Sequence, residues 1–190
     1  MRIACLHTAD SNIAVFEAAA REIGLSKDVL SHAVRADFLA NAEQAGGLTD
    51  DIARETASVL RSLGQTADAV VLTCSTLGPS IDELEGTMPV PTLRIDAVLA
   101  EQAVRVGGRI AVLCAVETTL EPTARLFAAA TAATQTPFEV RRVPGAWDLF
   151  KAGDRVGYLS AVAEAADAAY REGASIVALA RHRWQVLRIW

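Results

Sequence analysis

Short apolar, β-branched runs alternate along this chain with longer stretches in which alanine and leucine recur every three or four positions among charged residues. The runs predict strands at Ile3–His7, Val29–Val34, Ala69–Thr73, Thr92–Ile95, Ile110–Cys114, Phe138–Val143 and Ile176–Ala180. The periodic stretches between them predict helices, notably over Asn12–Ile23, Thr49–Leu63, Ala97–Val106, Leu120–Thr131 and Leu159–Glu172. Strands alternating with helices through short connections imply an α/β fold built on parallel sheet. No low-complexity segment or long linker interrupts the alternation.

The pattern repeats. Arg2-Ile3-Ala4-Cys5-Leu6 recurs as Arg109-Ile110-Ala111-Val112-Leu113, an offset of 107 (109 − 2). Ala69-Val70-Val71-Leu72-Thr73-Cys74 aligns with Ile176-Val177-Ala178-Leu179-Ala180-Arg181 at the same offset (181 − 74). One such match between short apolar strands is weak, but two at a single offset point to a duplicated unit. The expectation is two pseudo-symmetric parallel-sheet α/β subdomains, residues 1–95 and 96–180, with the active site in a cleft between them. An atypical tail, residues 181–190, follows.

Candidate chemistry gathers where these strands end. In open parallel sheets ligands bind beyond the carboxyl ends of the strands. Cys74 stands there, followed by Ser75, Thr76, Leu77, Gly78 and Pro79. A helix is expected to begin just beyond it, so that backbone N–H groups and the helix dipole would favour a thiolate. The competing reading is an inert buried thiol. Ser75 and Thr76 offer hydroxyls and N–H groups to a carboxylate. The turn after the first strand, His7-Thr8-Ala9-Asp10-Ser11-Asn12, is dense in polar groups. Asp10, Ser11 or Asn12 would cap the next helix, a role compatible with ligand contact. His7 reads either as a proton shuttle or as a hydrogen-bonded histidine at a strand end. In the second half Glu117-Thr118-Thr119 opens a helix with Pro122 in its first turn, and Thr118 and Thr119 are again caps or substrate contacts. Cys5 and Cys114 lie within strand runs and are expected in the core.

Bulk properties narrow the function classes. The 190 residues are 52% hydrophobic and 22% charged, which suits a folded chain. A net charge of −5 with scattered basic residues argues against a nucleic-acid surface. No run approaches the length of a membrane span, and no secretory signal precedes the first strand. Three cysteines are too few for a disulfide framework and lack zinc-site spacing, so a reducing cytoplasm is expected, with no metal. Gly107-Gly108 is a turn and not a phosphate loop, since no Lys-Ser/Thr follows.

With these residues in view, the chain resembles the aspartate/glutamate racemase superfamily, which includes hydantoin racemases, maleate isomerases and arylmalonate decarboxylases. The likeness covers essentially the chain up to Ala180. It rests on Cys74-Ser75-Thr76, where glutamate racemases have Cys-Asn-Thr, and on Asp10-Ser11 after the first strand. It rests also on Arg109-Ile110-Ala111-Val112-Leu113 followed by Thr118-Thr119-Leu120-Glu121-Pro122-Thr123. The resemblance implies a cofactor-free racemase or isomerase acting on a small carboxylate-bearing molecule of amino-acid or hydantoin type. Cys74 would serve as base or nucleophile, with Ser11, Asn12, Ser75, Thr76, Thr118 and Thr119 as the substrate cradle. In that family a cysteine from each domain flanks the substrate's α-carbon.

This chain departs from the pattern at one point. Arg181 occupies the position of the second cysteine. An arginine can hold a carboxylate but stays protonated and is a poor acid or base. A decarboxylase of a malonate-type acid, in which a lone thiol protonates an enediolate, is therefore an alternative. A catalytically inactive small-acid-binding protein is the non-enzymatic one. The tail Arg181–Trp190 is bulky and basic where the resemblance calls for a glycine- and alanine-rich helix start. One codon choice for Arg181–Arg188 is CGG CAT CGA TGG CAG GTG CTG CGC. An A restored after the first C makes it read Gln-Ala-Ser-Met-Ala-Gly-Ala-Ala, the kind of ending the relatives predict. A one-nucleotide frameshift is thus expected, and DNA reads across that codon test it. A terminal helix lost in this way would leave apolar surface uncovered and favour a homo-oligomer.

Overall fold

The structure, a computed structural model, describes residues 1–84 and 86–180. It divides into two compact units, the first spanning Met1–Ile95 and the second holding the described residues from Asp96 onward.

The first unit is a four-stranded parallel sheet in the order β2-β1-β3-β4, with β1 Ile3–His7, β2 Leu30–Val34, β3 Ala69–Leu72 and β4 Thr92–Arg94. Helices α1 (Ser11–Glu22), α2 (Ala36–Ala45) and α3 (Asp50–Gly64) connect the first three strands. β1 is central and buried along almost its whole length, as expected of a parallel strand covered on both faces. Helix α3 shows how the sequence builds such a layer. Its N-cap Thr49 accepts a hydrogen bond from the Ile52 N–H at 3.4 Å, and Asp50 and Asp51 follow in the first turn, where the helix dipole favours acids. Its buried positions Ile52, Ala53, Thr56, Ala57, Leu60 and Gly64 form one stripe, and Ile52, Ala57 and Leu60 pack with Leu6, Val70 and Leu72 of the sheet. Gly46 closes α2 in the left-handed conformation, with φ at 77°.

The second unit repeats the plan with three parallel strands in the order β6-β5-β7. These are β5 Ile110–Cys114, β6 Phe138–Arg142 and β7 Ile176–Leu179, with helices α4 (Ile95–Val106), α5 (Leu120–Thr131), α6 (Ala146–Lys151) and α7 (Arg155–Arg171). Every residue of β5 is buried. The duplication extends to register. Ile3 pairs with Ala69 and Ile110 with Ile176, and both members are shifted by 107 (110 − 3 and 176 − 69). The hydrogen bond from Thr73 N–H to the Leu6 carbonyl recurs from Ala180 N–H to Leu113, each at 3.0 Å.

All the expected strands form, within a residue or two of their expected ends. Two helices lie outside those singled out from the sequence, α2 and α6, both short. The helix expected immediately after Cys74 does not form. Residues 75–77 make a turn, and a 3₁₀ helix, Gly78–Leu84, follows. Pro79 is the second residue of that 3₁₀ helix, in a first turn where its missing N–H costs nothing. No α-helix therefore starts beside Cys74 to favour a thiolate through its dipole. Among the described residues, no helix is long and apolar enough to cross a membrane.

Candidate functional site

The carboxyl ends of β1 and β3 lie side by side in the first sheet and bring the two polar turns read from the sequence to one edge. Cys74 follows β3 and is half-buried, whereas Cys5 and Cys114 are buried inside strands. Burial pushes both of those thiols up to about 11, so neither ionises readily. Next to Cys74, Ser75 is 6% exposed and its hydroxyl oxygen is buried without a hydrogen-bond partner among the described residues. An orphaned hydroxyl costs stability unless a ligand or water satisfies it. Thr76 is buried beside it.

Sequence reasoning passed over Arg94. It ends β4 in register with Leu72, and its guanidinium lies against Gly78. A β-carbon at Gly78 would meet Arg94 Nε at 2.8 Å, so a larger residue there would displace the end of the Arg94 side chain. A permanent positive charge is packed on the turn that carries Cys74. The available signal was the glycine after an S-T-L turn, which marks close contact as well as a bend.

The turn after β1 is not spent on capping. Asp10 stands at the N-cap of α1 with helical φ and ψ, and no side-chain cap bond forms. No hydrogen bond holds the side chains of Ser11 or Asn12 among the described residues, and both are half-buried. In the second unit Thr118 and Thr119 lie in a 3₁₀ turn, Glu117–Thr119, that leads from β5 into α5, and Thr119 makes no side-chain cap bond to α5. Elsewhere Thr49 and Asp154 do cap their helices. Arg181 falls outside the described residues.

His7 is fully buried, and both ring nitrogens have partners. Nδ1 lies 2.9 Å from Thr73 Oγ1, whose hydroxyl is 3.0 Å from the Leu6 carbonyl. Nε2 lies 2.9 Å from His32 Nδ1, and His32 Nε2 lies 3.1 Å from Glu17 Oε1. The Phe16 ring meets His7 edge-on, with centroids 5.2 Å apart. Desolvation first, and then the neighbouring His32, lower the His7 pKa from 6.5 to about 4. Thr73, His7, His32 and Glu17 thus form a polar line from β3 through β1 and β2 to α1, starting at the residue before Cys74. His32 and Glu17 were invisible to motif reading because strand register, and no local spacing, brings them to His7.

A duplicated parallel α/β chain with a thiol and an orphaned hydroxyl at the end of a strand defines a class, and comparison with known proteins names it. The chain matches the Asp/Glu/Hydantoin racemase family over residues 8–180 and belongs to that family. Its fold is similar to that of a glutamate racemase from Bacillus anthracis, at TM-score 0.69 and 14% identity, covering 95% of this chain and 68% of that one. It is equally similar in fold to an aspartate racemase from Picrophilus torridus, at TM-score 0.69 and 10% identity, covering 96% and 81%. An allantoin racemase from Pseudomonas fluorescens follows at TM-score 0.61 and 18% identity, covering 96% and 77%. No curated protein sequence matches significantly.

Proposed function

We propose that this chain is a cofactor-independent racemase or isomerase of a small carboxylate-bearing substrate, of amino-acid or hydantoin type, with Cys74 as the proton-transfer group. The observation that carries the proposal is the pairing of a half-buried thiol with the unpartnered, buried Ser75 hydroxyl at the carboxyl end of β3. That hydroxyl, the neighbouring Thr76 and the uncapped Ser11 and Asn12 are the groups that would receive the carboxylate. In the second unit Thr118 and Thr119 occupy the turn that corresponds to Ser11 and Asn12 by the same offset of 107.

The chemistry asked of them is demanding. An α-proton beside a carboxylate is weakly acidic, and the charge left on its removal spreads onto that carboxylate. Fixed donors around the carboxylate stabilise this charge. The Cys74 thiolate takes the α-proton. A proton returned by Cys74 to the same face regenerates substrate, whereas inversion takes a proton from solvent water on the other face while the Cys74 thiol releases its own to solvent.

One observation favours a second reading. Among the described residues Cys74 is the single cysteine outside the buried strands. A lone thiol that protonates one face of an enediolate suits a decarboxylase of a malonate-type acid.

The test is proton exchange in D₂O, followed by NMR, with a panel of amino acids, hydantoins and 2-substituted malonates, and Cys74→Ala alongside. Exchange at an α-carbon that vanishes in Cys74→Ala supports the racemase and identifies its substrate class. Deuterium gained only with loss of CO₂ supports the decarboxylase. Absence of turnover from a folded sample overturns both and leaves a small-acid-binding protein.

A further inference from the structure

Cys5, His7 and His32 form a cluster that the proposed chemistry does not use. Their sulfur and ring-nitrogen atoms all lie within 4.8 Å of one another. Cys5 and His7 are two residues apart on β1 and so share a face of the sheet, and His32 stands beside Cys5 in the register of β2.

The proton inventory of this cluster is unusual. Thr73 Oγ1 is placed to donate to the Leu6 carbonyl and then accepts from His7 Nδ1–H. Glu17 as a carboxylate accepts from His32 Nε2–H. With those protons in place, His7 Nε2 and His32 Nδ1 face each other at 2.9 Å with a lone pair on each. In this tautomer a cation between them satisfies both lone pairs, whereas with Thr73 donating to His7 Nδ1 the His7 Nε2–H donates to His32 Nδ1 instead. Cys5 supplies a third donor on the same side.

The second unit shows that the fold does not need this polarity. By the repeat, Cys5 corresponds to Val112, His7 to Cys114 and Thr73 to Ala180, each shifted by 107 (112 − 5, 114 − 7, 180 − 73). His32, the register partner of Cys5, corresponds to Val140, the register partner of Val112. There the same position is an apolar core of Val112, Cys114, Val140 and Ala180. An apolar filling is therefore available to this architecture, and the first unit does not use it.

We infer that Cys5, His7 and His32 are three ligands of a buried site for a divalent transition-metal ion of the zinc class. A tetrahedral zinc site places sulfur and nitrogen ligands about 3.3–3.6 Å from one another, so the two rings have to part by about 0.4 Å and the widest pair to close by up to about 1.2 Å. Both imidazoles already have the outer partner that metal-bound histidines need, Thr73 for His7 and the Glu17 carboxylate for His32. Charge also balances, since a Cys5 thiolate and the Glu17 carboxylate together neutralise a doubly charged ion. His32, with its side chain 11% exposed, marks the solvent side, where water completes the coordination. The ion fixes the His7 tautomer and so the Thr73 hydroxyl beside Cys74. It takes no part in the proton transfer proposed above and stands independently of that reading.

The experiment uses the full chain stripped with a chelator. Zn²⁺ is titrated against a chromophoric competitor, and Co²⁺ is followed by thiolate-to-metal charge-transfer absorption. The expected result is one ion per chain and a charge-transfer band that is lost in Cys5→Ser and kept in Cys74→Ser. Glu17→Gln should weaken binding about 10- to 100-fold. Absence of tight binding to the wild-type chain overturns the inference and leaves a shared proton as the cation. A band that survives in Cys5→Ser, or is lost in Cys74→Ser, also overturns it. If circular dichroism shows Cys5→Ser unfolded, Glu17→Gln decides, and unchanged affinity in that variant overturns the assignment.

Discussion

His7 makes stability depend on pH in a way that can be worked out in advance for the metal-free chain. Its pKa is about 4 in the folded protein, against 6.5 for the free side chain. Between these values the unfolded chain holds a proton that the folded chain excludes, so stability rises with pH across this window. The contribution is fully present above pH 6.5 and is lost as pH falls through about 4. At 1.36 kcal/mol per pKa unit, the difference amounts to about 3 kcal/mol, a large part of the 5–15 kcal/mol that ordinarily separates native from unfolded states. Facing the ring are Cys5 from its own strand, Thr73 from the end of β3, His32 from β2, and Phe16 and Glu17 from α1. Cys5 stays a thiol throughout this range, because burial holds it near 11. The assay is urea unfolding by circular dichroism in chelator at several pH values between 7.5 and 4, on the wild type and His7→Gln. Carboxylates remote from this cluster titrate alike in both proteins, so the stability difference reports His7 together with its coupling to His32 and Glu17. It should move against the wild type by about 3 kcal/mol on acidification. A difference that stays flat, or moves the other way, would refute the buried, neutral His7 on which the reasoning rests.

Further outcomes follow from the same geometry. At pH 8 a thiol with a pKa near 11 is only about a thousandth ionised, so iodoacetamide should modify Cys74 at least tenfold faster than Cys5 or Cys114, as read by peptide mass spectrometry. Gly78→Ala sets a β-carbon against the flexible end of Arg94, which can swing aside, and should cost no more than about 1 kcal/mol in urea unfolding. Gly47→Ala, with open space at its β-carbon, should shift stability by under about 0.5 kcal/mol. Phe127→Ala removes a fully buried ring that packs on Phe138, and should cost about 3–5 kcal/mol.

What the sequence made legible was whatever a local run of residues encodes. Buried parallel strands are continuous apolar runs, and so β1, β5 and their partners could be read almost to the residue. The repeat could be read because register follows strand position. Helix α2 went unremarked because it starts directly after β2, at Arg35, with no side-chain cap to announce it. The segment after Cys74 departs from the strand-to-helix turn usual in α/β units, with a turn at residues 75–77 and a 3₁₀ helix in its place. Cys74, Ser75 and His7 were singled out from the chain itself. His32, Glu17 and Arg94 join them through strand register, helix packing and the absence of a β-carbon at Gly78, none of which leaves a trace in spacing.

The pairing of His7 with His32 and Thr73 also orders events during folding. His32 lies 25 residues from His7, within one β-α-β unit, whereas Thr73 lies 66 residues away. Closing the shorter loop costs less entropy, and contacts of low sequence separation form earlier. Loop-closure cost alone thus favours the two histidines and Glu17 meeting before β3 docks on the open edge of β1. During synthesis the apolar flank of β1 waits unpaired until β3 arrives, and this interval is when the chain is most exposed to association with its own copies.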